Sequence, residues 1–283
     1  CTCNRPVLYL GRKAVIYDNT FIIRRNTKKK QRKCMYTFDS RIRYSETDET
    51  GALSLLGVIN YMQDCSTFQS EDIGLGVEYL EKKKRAWLLS SWRIVIDRYP
   101  VLGERIKIGT WATSSKGIYG YRDFVIMDQD GNYLVRAESI WFFCDTEKMV
   151  PVRVMPEDIA AYGNEEALDP GKAPRKILIP EEYEEGIPVT IATHHLDTNH
   201  HVNNAQYVDI ARELVPSGTE IGEIRAEYRK AAVLGDEIVV KRAREGMSHL
   251  VSLCNANGDV FANVELKERT QPQKYPAAGG RKT

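Results

Sequence analysis

The 283-residue chain predicts an α+β fold in which one long helix is wrapped by an antiparallel sheet, with the whole unit used twice. Three observations carry this. A strand and an amphipathic helix are followed by four strand candidates joined by tight turns, an order that suits an antiparallel meander and not a parallel α/β sheet. After a linker the same order begins again. Short motifs also recur at matching places: Asp48 and Asp197, Val101-Leu-Gly-Glu-Arg-Ile106 and Val233-Leu-Gly-Asp-Glu-Ile238, Asp130-Gly131 and Asn257-Gly258. Their offsets of 149, 132 and 127 residues shrink along the chain, as loop deletions in a second copy make them.

Residues 1–34 hold ten basic residues and one acid, and they precede Met35, where strongly patterned sequence begins. A transit peptide would be basic and acid-poor too, but residues 1–33 contain no serine, and no long apolar run supports a secretory signal. The segment is expected to be a non-native or disordered extension, translated ahead of a start at Met35. From Met35 to Tyr44 the sequence alternates like a strand, with Tyr36, Phe38, Ile42 and Tyr44 in phase. Ser54 then caps a helix that carries Leu55, Val58, Ile59, Met62, Cys65 and Ser66 along one side. Strands are predicted at Trp87–Asp97, Arg105–Ala112, Tyr119–Met127 and Tyr133–Phe143, with a strong hairpin signal at Asp128-Gln-Asp-Gly131. The first unit thus spans 35–162. Residues 163–187, rich in Pro, Gly and acids, read as a linker.

The second unit, 188–269, opens with a strand at Val189–Ala192. Asn203 or Asn204 caps a helix running to about Val215, with Ala205, Val208, Ala211, Leu214 and Val215 inward. Strands follow at Ile224–Arg229, Ile238–Arg244, Leu250–Asn255 and Val260–Glu268. The tail 270–283 is predicted to be disordered.

Composition narrows the function classes. The net charge is +1, yet residues 35–283 alone carry 30 basic against 38 acidic side chains. An acidic body argues against nucleic-acid binding, and no apolar run is long enough to span a bilayer. Cys65, Cys144 and Cys254 lie singly and far apart in the body, Cys1, Cys3 and Cys34 fall in the N-terminal stretch, and the absence of a CxxC pair suits a reduced, cytoplasmic compartment and gives zinc or redox motifs no support.

Chemistry concentrates in Thr193–Tyr207, which holds four of the five histidines. Asp197, Asn199 and His201 are spaced i, i+2, i+4, and in extended backbone they share one face. An imidazole, whose ordinary pKa of about 6.5 suits it to moving a proton near neutral pH, then stands beside a carboxylate and an amide. The opposite phase makes His200 a surface or packing residue. His194 and His195, pointing apart in a strand, make a poor metal pair. Asn203 and Asn204 are ordinary helix caps on local evidence, and free N–H groups at that helix start could serve an oxyanion.

A helix wrapped by an antiparallel sheet, in tandem, suggests a double hotdog. Here the sequence resembles the acyl-ACP thioesterases of bacteria and plant plastids, from Met35 to about Glu268. The resemblance rests on Ala86-Trp-Leu-Leu-Ser-Ser-Trp-Arg93, Tyr99-Pro100, Gly109-Thr-Trp111, Lys116-Gly-Ile-Tyr-Gly-Tyr-Arg122 and, most specifically, Leu196-Asp-Thr-Asn-His-His-Val-Asn-Asn204. It implies hydrolysis of acyl-carrier-protein thioesters to free fatty acids in fatty acid biosynthesis, with Asp197, Asn199 and His201 catalytic and no cofactor or metal. A further family glutamate, expected on the strand after Lys230, falls at Ala231, and the neighbouring cysteine of plant members falls at Ala232. Glu227, four strand residues or about 13 Å away, is no substitute. At offset 149, Thr50 and Ala52 stand opposite Asn199 and His201, so one active site per chain is expected, with the first half shaping the acyl pocket along the Leu55–Phe68 helix and the Trp87–Ile96 strand.

Trp87, Trp92, Trp111 and Trp141 belong to the core or to that channel. The run Glu81-Lys-Lys-Lys-Arg85 reads as a solvated face or as a docking patch for the acidic carrier protein. Expected partners are acyl carrier protein and, as a homodimer, a second copy of the chain. The rival readings are an acyl-CoA thioesterase, a non-catalytic acyl-binding protein, and a 3-hydroxyacyl dehydratase, which the Asp-x-Asn-x-His block disfavours.

Overall fold

The computed structural model describes residues 35–168, 173–271 and 273. The extension 1–34 and the tail from 274 lie outside the described residues. Strand β1 (Tyr36–Arg41) leads through a 3-10 turn at Tyr44–Glu46 to helix α1 (Leu55–Asp72), then to the short helix α2 (Val77–Lys82). Strands β2 (Arg85–Ile96), β3 (Arg105–Lys116), β4 (Tyr119–Met127), β5 (Tyr133–Asp145) and β6 (Val150–Pro151) precede helix α3 (Pro156–Ile159). The second half has β7 (Glu184–Glu185), β8 (Val189–Thr190), a 3-10 turn at Thr193–His195, helix α4 (Asn204–Arg212) and strands β9 (Ile221–Tyr228), β10 (Glu237–Glu245), β11 (Ser248–Cys254) and β12 (Val260–Glu268).

The main sheet runs β1-β3-β4-β5-β2-β9-β12-β11-β10-β7. Each half's sheet is antiparallel, and the two join edge to edge where β2 pairs with β9 from Ser91 opposite Glu227 to Val95 opposite Glu223. Tandem duplication thereby covers two edges that would otherwise expose unpaired backbone groups. Along each helix, residues recurring at helical spacing bury one stripe against the sheet: Val58, Ile59, Met62 and Cys65 on α1, and Ala205, Val208 and Ala211 on α4 are fully enclosed. Each large apolar side chain so buried contributes about 1.5–3 kcal/mol. On β4, Phe124 and Ile126 face this core while Val125 and Met127 pack on the opposite side with Trp111 and the linker residue Leu168, as strand alternation requires.

The internal repeat is written in matching hydrogen bonds. Leu53 N–H donates to Pro100 O at 2.8 Å and Val202 N–H to Ala232 O at 2.9 Å; Gly103 N–H donates to Ile42 O and Gly235 N–H to Ile191 O, both at 3.0 Å. The hairpins also agree: Asp128 and Asn255 each accept from two backbone N–H groups with a side-chain oxygen, and Gly131 and Gly258 take φ values of 84° and 85°.

The linker is strapped to the sheet face away from the helices. Trp111 Nε1–H donates to Glu166 O, Leu168 N–H to Asp123 Oδ2, Ile177 N–H to Glu227 Oε2, and Arg225 donates to Pro174 O and Lys176 O. Glu227 is therefore engaged with the linker and Arg229, on the side of the sheet away from the helices.

Four expectations need correction. Tyr44 leaves the strand phase and is 84% exposed, because the backbone turns 3-10 there. Helix α4 stops at Arg212 and not Val215, since Pro216 disfavours helical backbone before it. Part of the Glu81–Arg85 run ends helix α2, which the charge pattern had hidden. Gln273, inside the supposedly disordered tail, bonds both the N–H and the carbonyl of Tyr99.

Candidate active site

The segment from Leu196 to Val202 is a closed loop, not a strand. Leu196 and Val202 form an isolated bridge, Asp197 N–H donates to His201 O at 2.8 Å, and His200 N–H donates to Asp197 O at 3.1 Å. The strand-phase reason for grouping Asp197, Asn199 and His201 therefore fails; a tight turn links them instead, through the Asp197 carboxylate and the backbone of the other two. Asp197 Oδ1 accepts the backbone N–H of Asn199 at 2.8 Å and of His201 at 3.3 Å. Its carboxylate makes no hydrogen bond to the His201 ring among the described residues. A short acidic side chain that captures N–H groups two and four residues on is a local turn former.

The first half contains the same loop. Thr47 bridges Leu53, Asp48 N–H donates to Ala52 O, and Asp48 Oδ1 accepts from Thr50 N–H, Thr50 Oγ1 and Ala52 N–H. Gly51 holds φ at +80° where His200 holds +59°. His200 thus fills a left-handed turn position that glycine occupies without steric cost, a role its strand phase had not suggested.

His194 and His195 also depart from expectation. In the 3-10 turn their rings lie 4.0 Å apart, centroid to centroid, so they do not point to opposite sides. His195 Nδ1 accepts the Ala192 N–H at 3.0 Å, and burial followed by the neighbouring His194 lowers its pKa. Glu46 holds the equivalent place in the first half and accepts from Arg43 N–H.

Asn203 is the helix cap, its Oδ1 accepting from Ala205 N–H at 2.9 Å. That oxygen also accepts from Gln63 Nε2 at 3.0 Å, while Asn204 Nδ2 donates to Gln63 Oε1 at 3.4 Å. Gln63 on α1 thereby ties the first half to the helix start of the second. Gln206 N–H bonds to Asn203 O, which leaves the Asn204 N–H as the unbonded donor of that first turn among the described residues. Behind the loop, Tyr207 Oη accepts the Ala232 N–H at 2.8 Å and Tyr228 Oη donates to Asn204 O at 3.0 Å. Burial pushes the Tyr207 phenol up to about 12, so it stays a neutral scaffold.

Ala231 is not on a strand. β9 ends at Tyr228, and Ala231 lies exposed in the following loop, whose next residue bonds to Val202. The position where the family glutamate was expected therefore flanks the Asp197–His201 loop and presents a methyl group.

A cavity of about 520 Å³ opens beside this loop. Ser66, Thr67 and Ser70 of α1, Leu80 of α2, Trp87 of β2, Arg122 of β4 and Trp141 of β5 are among its walls, and among the described residues Asn199 is the one from the second half that lines it. Asp197 and His201 do not line it. Trp87 and Trp141 thus border the cavity, whereas Trp92 is core and Trp111 anchors the linker. Gln63 and Tyr162 escaped sequence reading because polar residues on a helix face or beside a linker look solvated; Arg122 closes a block already singled out by resemblance.

Two helix-and-sheet halves joined edge to edge through β2 and β9 define a tandem hotdog protein. The family model for the acyl-ACP thioesterase N-terminal domain matches residues 33–162 and that for the C-terminal domain matches 181–268, so the chain belongs to the acyl-ACP thioesterase family. It is 27% identical over 214 residues to the chloroplastic dodecanoyl-[acyl-carrier-protein] hydrolase of Cinnamomum camphora, covering 68% of this chain and 55% of that protein. It is 24% identical over 200 residues to the chloroplastic palmitoyl-acyl carrier protein thioesterase of Gossypium hirsutum, covering 65% and 48%. The chain spans about half the length of these relatives. Among solved structures it is similar to an acyl-ACP thioesterase from Bacteroides thetaiotaomicron VPI-5482, with a TM-score of 0.77, 21% identity and coverage of 83% and 98%. It is also similar to the 12:0-ACP thioesterase from Umbellularia californica, with a TM-score of 0.72, 22% identity and coverage of 83% and 97%. No helix among the described residues is long and apolar enough to cross a membrane.

Proposed function

We propose that this chain hydrolyses acyl-carrier-protein thioesters to free fatty acids, with the acyl group in the first-half cavity and the thioester at the Asp197–His201 loop. The observation that supports the reading is Asn199, which borders a cavity lined otherwise by described residues of the first half and the start of the linker. In this reading Asn199 binds the attacking water or the thioester carbonyl, and His201 takes the water proton and returns it to the departing thiolate. The free Asn204 N–H at the start of α4 faces the developing oxyanion. Asp197 acts through its neighbours, because its carboxylate oxygen holds the N–H groups of both Asn199 and His201. It is a positioning residue.

Thiol release from acyl-ACP tests this directly, with the matching acyl-CoA assayed alongside. Turnover on acyl-ACP that falls ~10²-fold or more in Asn199→Ala and His201→Ala supports the assignment. Full activity in either variant removes that residue from the mechanism, and a wild-type chain that releases no thiol from either carrier favours a non-catalytic acyl-binding protein.

A further inference from the structure

The cavity wall carries a cation, Arg122, that no described carboxylate pairs with. Arg122 lies on β4 in phase with the core-facing Phe124 and Ile126, which turns it toward the helices. Its Nη1 donates to Gln69 Oε1 at 2.5 Å and to Thr110 Oγ1 at 3.1 Å, and the guanidinium lies 5.0 Å from the centre of the Tyr162 ring. All of these partners are neutral. The two carboxylates lining the cavity, Glu71 and Glu81, do not bond to it, and Glu71 is occupied capping the Val77 N–H. Nε and Nη2 donate to no described residue. Burial works against the charge and lowers the pKa to about 10, which still leaves the group cationic at neutral pH. By contrast Arg93, Arg98 and Arg225, also partly enclosed, all have glutamate partners.

An enclosed guanidinium without a counter-charge is costly, and packing a hydrocarbon chain against it adds the loss of its remaining water. Near it Ser70 Oγ and Tyr162 Oη bond each other at 2.9 Å with Ser66 beside them on α1, while Val77, Leu80, Trp87 and Trp141 make other parts of the lining apolar, so Arg122 is a polar point in a largely apolar cavity. Unsubstituted methylenes offer these groups nothing. An oxygen on the acyl chain would accept from the free Nε and Nη2 donors, and a carboxylate would do so in bidentate fashion.

We propose that the acyl group taken by this cavity carries an oxygen function along its chain (hydroxyl, oxo or carboxylate), and that Arg122 is the residue that selects it. This rests on the reading of the cavity as the acyl site.

The test uses the full chain and two readouts. One is kcat/KM on acyl-ACPs of equal chain length that are unsubstituted, hydroxylated, oxo-substituted or ω-carboxylated. The other is affinity for the matching free acids, by displacement of a fluorescent fatty acid. At least one oxygenated member should be favoured by ~10-fold or more in both readouts, because a site built to hydrogen-bond a substrate group rejects the analogue lacking it. The ratio should collapse in Arg122→Met and fall partway in Arg122→Lys, which keeps the charge without the planar fork and serves if the first variant does not fold. The four substrates separate neutral from anionic oxygen. A wild-type preference for unsubstituted chains, or a ratio that survives both substitutions, overturns the inference. So does a change confined to the preferred length of unsubstituted chains, which would make Arg122 an end-stop. If no acyl-ACP is hydrolysed but the free-acid ratio holds, the thioesterase reading fails and this one stands.

Discussion

Asp48 and Asp197 occupy the same place in two copies of one loop, and only the second copy carries Asn199 and His201, so they form a matched pair for separating structure from chemistry. Replacing either with Ala removes a carboxylate oxygen that accepts from backbone N–H groups, at 2.9 and 3.2 Å for Asp48 and at 2.8 and 3.3 Å for Asp197. Bonds of this kind contribute about 0.5–1.5 kcal/mol each, toward the low end where water can replace the acceptor, so each variant should lose about 1–2 kcal/mol. At roughly 2–4 °C per kcal/mol for a chain of this size, each Tm should fall by about 2–8 °C. Activity should divide the pair. Asp48→Ala should retain turnover, while Asp197→Ala should lose ~10-fold or more, because misplacing a reacting group by about 1 Å costs as much as 10²-fold. Asp197→Asn keeps an acceptor oxygen and should keep both most of the Tm and most of kcat. Thermal melts and initial-rate assays on acyl-ACP decide the matter. An Asp197→Asn chain that melts like wild type yet is as inactive as the Ala variant would refute the positioning role and make the carboxylate itself the base.

Four other perturbations have definite outcomes. Ala231→Glu places a carboxylate beside the Asp197–His201 loop and should raise kcat on acyl-ACP; an unchanged or lower kcat means the site works without one. His200→Gly relieves a left-handed backbone, and a rise in Tm equivalent to about 1 kcal/mol is expected; a lower Tm would show that the imidazole contributes packing that outweighs the strain. His195 has a lowered folded pKa and accepts a backbone N–H only when neutral. Its contribution is therefore present above the ordinary histidine pKa and lost as pH falls through the lowered value, so His195→Asn should flatten the acid limb of the stability profile; a limb left unchanged assigns it to other groups. Asp123 runs the opposite way: burial raises its pKa from 3.8 to about 6, so the folded state binds the extra proton and stability declines as pH rises from about 4 to 6. Keeping it ionised at pH 7 costs on the order of 3 kcal/mol, and Asp123→Asn should gain part of that in urea melts at pH 8 and nothing at pH 4; equal effects at both pH values would contradict this.

The sheet was legible because strand alternation and turn chemistry are local signals. Asp128-Gln-Asp-Gly131 specifies its hairpin by itself, and Ser54 caps α1 as expected, with Gly57 N–H on its hydroxyl. The duplication was legible for the same reason, since turn residues repeat where buried ones have drifted. The candidate residues Asp197, Asn199 and His201 were selected through the wrong geometry. Alternation was assumed where Asp197 folds the chain back on itself, and a carboxylate in an extended strand looks identical in sequence to one in a turn. What could not be read at all were the contacts between halves. Gln63 lies 140 residues from Asn203, and nothing in an amphipathic helix marks which polar residue will meet another helix start.

The two copies differ in complementary parts. In the first, Thr50 and Ala52 stand where the second has the amide and imidazole, and the loop around them has the same aspartate and positive φ. In the second, the loop carries both, but helix α4 is 9 residues long against 18 for α1, and the chain passes from it to β9 without a counterpart of α2. Residues of α1 and α2 line the cavity that Asn199 borders, whereas α4 is half the length of α1. On the proposed reading each chain holds one combination of loop and pocket, and the bond from Gln63 to Asn203 joins the two halves beside it. If that is so, Gln63→Ala should damage turnover far more than stability: it removes one donor from a cap that Ala205 still satisfies, about 1 kcal/mol, yet it frees the helix start that carries the oxyanion donor. A kcat unchanged in Gln63→Ala would show that packing of α1 on α4, not this amide, sets the register between pocket and loop.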